Sequence, residues 1–191
     1  MIPLYSSLPY SVEYGRKVYK LRPYYDRVLE AAATLKRQDI SESDALNYSL
    51  WLLIDARNYP CSLELLQAVF DTLIEPVKRN DGSPRSIDYE QDAALIYAAF
   101  QQAYGIDLRE ERRLHWWKFQ VLLAGLPSNT RLMEIVKIRT MPVPKPTKYN
   151  HEQIQEIMRL KALYKIQLTE DEAKEQYSRG LQRLAAQIIS G

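Results

Sequence analysis

The sequence predicts a mainly α protein: a helical bundle of about six helices with a small N-terminal β-hairpin and a linked helical C-terminal arm. Three observations carry this expectation. Apolar residues recur at three- and four-residue intervals along most of the chain, the spacing that lines one face of a helix. Only six glycines occur among 191 residues, too few for a turn-rich all-β architecture or a glycine-rich phosphate loop. Pro142, Pro144 and Pro146 break the helical pattern and favour an extended, semi-rigid spacer. The expected division is a hairpin plus helical core over 1–141, a proline-rich linker over 142–149 and an amphipathic helical arm over 150–191.

Each element has a local reason. From Tyr10 to Lys20, β-forming residues flank Gly15-Arg16, where glycine supplies the positive φ of a tight hairpin turn. Two strands bury too little to stand alone, so the tyrosines and valines of the hairpin should pack on helices. Pro23 suits a first helical turn, and strong helix formers carry helix one to about Arg37. Ser41 and Ser43 offer caps for a second helix that holds Leu46, Leu50, Leu53 and Ile54 and ends near Asn58-Tyr59-Pro60. Ser62 caps a third, with Leu65, Leu66, Val69, Phe70 and Leu73 in one stripe before a loop at Asn80 to Pro84. Asp88 and Gln91 have capping-box spacing ahead of a fourth helix that ends at Gly105.

The fifth helix is expected from about Leu108 to Ala124 and is apolar around more than half its circumference, which suits a central position. Gly125 closes it, and Ser128 or Asn129 opens a sixth with Leu132, Ile135, Val136 and Ile138. In the arm, Asn150 with Gln153 and Thr169 with Glu172 both have capping-box spacing, which predicts two amphipathic helices.

Composition narrows the function classes. An apolar fraction of 46% and a charged fraction of 26% are those of one ordinary globular domain with a core. Residues 1–141 hold 18 basic and 18 acidic side chains and residues 142–191 hold 8 and 6, so the slight excess of +2 lies in 142–191. That balance argues against a nucleic-acid partner bound by counterion release. Cys61 is the only cysteine and cannot form an internal disulfide; the N-terminus has no secretory signal pattern, so a cytoplasmic product is expected. Apolar runs such as Leu50 to Ile54 fall far short of the ~20 residues that cross a bilayer.

Candidate chemistry is sparse. Two histidines and one cysteine supply none of the usual zinc pairs. His115, in LHWWKF, lacks a neighbouring nucleophile and reads as structural. Consecutive tryptophans point about 100° apart on a helix, so Trp116 and Trp117 read as core rather than as a stacking platform. Asp88, Glu90 and Asp92 invite a magnesium reading, but acids in a first helical turn cap free N–H groups and favour the macrodipole. No catalytic or metal residue and no cofactor is expected. Fourteen tyrosines exceed what the core needs, and the arm stripe Tyr164, Tyr177, Leu181, Leu184 and Ile188 is the candidate partner-binding surface. Its helices either bind a partner or fold back on the core.

IDYEQDAALIYAAFQQAYGIDL, LHWWKF and IRTMPVPK, within residues 87–145, resemble the bacteriophage "gene product fifteen" family of Gram-positive tailed phages and prophages. The hairpin and first helices match more loosely. The resemblance implies a product of the tail-morphogenesis region, encoded between the tail-tube and tape-measure proteins. By position it implies a non-enzymatic tail assembly chaperone in the host bacterial cytoplasm, with the tape-measure protein or other tail proteins as partners and a possible homo-oligomer. The competing reading is a structural component of the virion, at the tail tube or head-tail junction. The resemblance carries no active-site residues.

Overall fold

A computed structural model describes residues 6–74 and 86–167. These residues form a two-stranded antiparallel hairpin, β1 (Ser11–Tyr14) and β2 (Lys17–Lys20), followed by seven helices. The helices are α1 (Tyr25–Thr34), α2 (Glu42–Leu53), α3 (Leu63–Ile74), α4 (Ala93–Tyr104), α5 (Trp116–Ala124), α6 (Arg131–Thr140) and α7 (His151–Leu163). The mainly α expectation with a small N-terminal hairpin holds. The expected loop at Asn80 to Pro84 and the second arm helix, from Thr169 onward, lie outside the described residues.

Gly15 turns the hairpin with φ +62°, and Val12 pairs with Tyr19, which puts two buried side chains on one face. Packing then runs as a chain of neighbours. α3 lies on β1, α2 on α3, α1 on α2, α5 on α1, α4 on α5, α6 on α4 and α7 on α6. The fully buried centre includes Phe100, Phe119, Leu50, Leu53, Ile54 and Leu132. Phe119 of α5 lies at its heart, stacked on Tyr25 at 4.9 Å, Phe100 at 5.1 Å and Trp116 at 5.6 Å. Trp117 is buried too, and its indole N–H donates to the Leu73 carbonyl at 2.7 Å. Both tryptophans are therefore core, as their helical spacing predicts.

Several boundaries differ from the sequence expectation for one reason: tertiary backbone pairing. Helix one starts at Tyr25, two residues after Pro23, because the chain before it is zipped on both sides. Arg22 N–H donates to Leu53 O and Asp55 N–H to Lys20 O on one side; Trp116 N–H donates to Pro23 O and Tyr25 N–H to Leu114 O on the other. The same pairing ends α2 at Leu53 instead of near Asn58-Tyr59-Pro60, since Ile54 is extended opposite Leu21. It also delays α5 from Leu108 to Trp116, because His115 is extended opposite Tyr24. Helix one correspondingly stops at Thr34, with only turn-type bonds reaching Arg37.

Caps were partly legible. Ser41 accepts from Asp44 N–H and Ser62 from Leu65 N–H, both as expected, and Gly105 closes α4 at φ +66°. Helix α6 is opened by Thr130 rather than by Ser128 or Asn129: the buried Thr130 hydroxyl accepts from Met133 N–H and donates to Pro127 O. At α7 the Asn150 side chain does not cap forward. It closes the preceding turn instead, accepting from Thr147 N–H and donating to Lys145 O.

Candidate partner-binding site

The expected capping box at Asp88 and Gln91 is only half formed, and its missing half organises the candidate site. The Asp88 carboxylate accepts from Glu90 and Gln91 N–H at 2.9 Å, as a cap should. Gln91 does not reach back. Its amide clamps the backbone of Gln167, donating to the carbonyl at 2.6 Å and accepting from the N–H at 2.9 Å. The Asp88 N–H is taken by the carboxylate of Asp92 at 2.9 Å.

Asp92 in turn meets Arg139, the second residue from the end of α6, in a two-pronged ion pair at 2.6 and 2.9 Å. The Asp92 side chain is 3% exposed and that of Arg139 11%, so the pair is shielded from water. Two further Arg139 donors are used as well: one reaches Ser86 O at 3.0 Å and Nε reaches Tyr164 O at 2.6 Å. Lys161 of α7 donates to the Arg139 carbonyl at 2.7 Å. One guanidinium thereby ties α4, α6 and the end of α7 together. A planar fork of five donors can do this; a lysine ammonium cannot.

Tyr164, the one predicted arm residue within the described chain, caps α7 against α6. Its hydroxyl accepts from Arg131 at 2.8 Å, and the same guanidinium lies 5.6 Å from its ring centre. Tyr177, Leu181, Leu184 and Ile188 lie outside the described residues. Ile166 is buried, but no residue of α7 itself is, and Met158 and Leu163 stand 55% and 66% exposed. The arm helix thus half-buries Ile154, Ile157 and Leu160, makes polar contacts to α6, and leaves Met158 and Leu163 outward.

The acidic trio does not converge on a cation: Asp88 and Asp92 are engaged by N–H groups and Arg139, and Glu90 points to solvent. Among the described residues no group of three or more metal-ligating side chains forms. The Arg139–Asp92 pair was missed in the sequence. Its only signal is that both residues fall inside the segments that carry the family resemblance, IRTMP and DYEQDAALIYAAF.

His115 is a cap. Its Nδ1 accepts from Trp117 N–H at 3.1 Å, which leaves the proton on Nε2, donated to Pro9 O at 3.1 Å. Burial, aided by nearby Lys118 and opposed by the Pro9 hydrogen bond, holds the imidazole below its ordinary 6.5. The unfolded chain takes up this proton near pH 6.5 while the fold resists it. The stability His115 contributes is present above 6.5 and is lost as pH falls from there through the lowered folded value. Urea midpoints measured at about pH 7.5 and about pH 5.5 should fall for the natural protein. They should fall less for His115→Asn, which keeps a cap without a titrating ring.

The described residues define a mainly α protein with a small N-terminal hairpin and a C-terminal helix that packs on α6. The chain belongs to the family described as Bacteriophage Gp15 protein, whose model matches residues 4–166. The match runs past the resembling segment, through the proline stretch and α7 as far as the buried Ile166. No match was found among the curated proteins or among the solved structures. Membership points to a phage role in virion structure or morphogenesis. No helix of the described residues is long and apolar enough to cross a membrane.

Proposed function

We propose that the protein is a non-enzymatic tail assembly chaperone that covers the hydrophobic tape-measure protein during phage tail morphogenesis. The observation that carries this reading is α7: an amphipathic helix with no fully buried residue, its apolar stripe Ile154, Ile157 and Leu160 only half-buried and Met158 exposed beside it. Such a face suits reversible capture of a helical client, which would lay its own apolar stripe against it. The gene neighbourhood implied by the family resemblance supplies that client.

Co-expression with the tape-measure protein encoded beside it tests the reading. The full chain should keep the client in solution and co-purify with it. A Met158→Glu/Leu163→Glu variant should lose both effects while its own circular dichroism is unchanged, since neither residue is in the core. If the client precipitates equally with and without the full chain, the chaperone reading fails. Recovery of the protein in purified virions would then favour a structural part at the tail tube or head-tail junction.

A further inference from the structure

The polar contacts of the arm lie at one end. Among the described residues, every hydrogen bond between the arm and the rest of the fold involves residues 161–167. Lys161 donates to Arg139 O, Arg139 and Arg131 donate to the carbonyl and hydroxyl of Tyr164, and Gln91 grips both backbone groups of Gln167. From Pro142 to Leu160 the side chains bond only within their own segment: Asn150 to Lys145 and Thr147, and Arg159 to Glu156. The proline stretch therefore enters α7 with no bond to the core.

What these bonds close is apolar. At 3.6 residues per turn, Ile154, Ile157 and Leu160 share one arc of α7 with Lys161 and Tyr164, the residues that reach α6. The three apolar side chains are half-buried, and α6 is the helix on which α7 packs. Met158 and Leu163 lie at the two margins of the arc and are exposed. Ile135 of α6 and Ile166 are buried as well, yet both stand apart from the main core cluster, as apolar groups covered by a peripheral segment do. No residue of α7 is fully buried, so the seam is shallow and depends on its polar end. Three of the five bonds there are made by the exposed side chains of Gln91 and Arg131, where water competes with them.

We infer that residues 161–167 are a latch: they hold the apolar face of α7 shut on α6 in the free protein, and a helical client is captured when the latch opens and the client takes the place of α6. This rests on the reading of α7 as the client-binding helix. α6 is then an internal competitor, and the apparent affinity for the client is lowered in proportion to the fraction of molecules that are open. The exposed margins, Met158 and Leu163, give the client its first contact while the arm is still closed.

Gln91→Ala/Arg131→Ala, made in the full chain, tests the latch without touching the α7 face. It removes three bonds, so amide exchange across 151–163 should quicken by about tenfold or more, while exchange in α5 stays as in the natural protein. Exchange that is unchanged in α7, or that rises equally in α5, would overturn the latch. Gating is read by competition: the tape-measure protein is co-expressed with equal amounts of natural and variant protein carrying different tags, and the complex is purified through the client. The variant should be enriched severalfold or more, following its larger open fraction. Recovery of both proteins in equal amounts, or of the natural protein in excess, would overturn the gating alone. Recovery of neither would overturn the tape-measure reading, and gating of that client with it.

Discussion

Arg139→Ala is expected to destabilise the protein by about 3–5 kcal/mol, the cost of leaving a shielded carboxylate without its partner. That is a large part of the ~5–15 kcal/mol that holds most domains together. Asp92 would keep only the Asp88 N–H, and the end of α7 would lose the bond from Nε to Tyr164 O. Arg139→Lys should recover little, because a single ammonium cannot satisfy Asp92, Ser86 O and Tyr164 O at once. An Arg139→Met/Asp92→Leu pair should instead recover most of the loss, since it removes both charges from the protected site. Urea unfolding of the four proteins checks the order. Equal stability of Arg139→Ala and the natural protein would show that the pair contributes little to the fold. In the alanine variant, faster amide exchange near Gln167 should accompany the loss, as the arm is released from α6.

Phe119→Ala should cost a similar ~3–5 kcal/mol through another mechanism, a cavity at the centre of an aromatic stack. Phe119 is 1% exposed and touches rings from α1, α4 and its own helix. Each stacked pair adds roughly 0.5–1.5 kcal/mol beyond burial. For a chain of this size the midpoint of thermal unfolding should fall by roughly 6–20 °C. Phe119→Leu should lose much less, because it keeps most of the volume. A Phe100→Ala/Phe119→Ala double variant should lose less than the sum of its parts, since the two rings share one contact. Additive losses would mean that the stack is not a unit. Calorimetry distinguishes these outcomes.

Both effects rest on features that differ in how far the sequence announces them. The aromatic centre was largely legible: residues 116, 117 and 119 combine helical spacing with size, and large rings on a helix with so little polar surface have nowhere to go but inward. Val121 belongs to the same periodic pattern and is nevertheless 55% exposed, because α5 meets α1 and α4 on only part of its circumference. The Arg139–Asp92 pair was not legible. It joins residues 47 positions apart, and neither has a local pattern that separates it from an ordinary charged residue at a helix end. Tyr164 was legible as an interfacial residue by type, but the sequence could not say that its carbonyl and hydroxyl are both held by α6.

By itself the sequence determined what local physics controls: the helical period, the Gly15 turn, the Ser41 and Ser62 caps, the Gly105 stop and the proline break. Each depends on residues within a few positions of one another, so spacing and side-chain type suffice. Only the tertiary structure decided where helices begin and end around Arg22, Ile54 and His115, where backbone groups are taken by segments distant in sequence before a helix can claim them. It also decided which polar side chains became structural. A carboxylate or guanidinium has many possible partners along a chain, and the choice among them is made by packing.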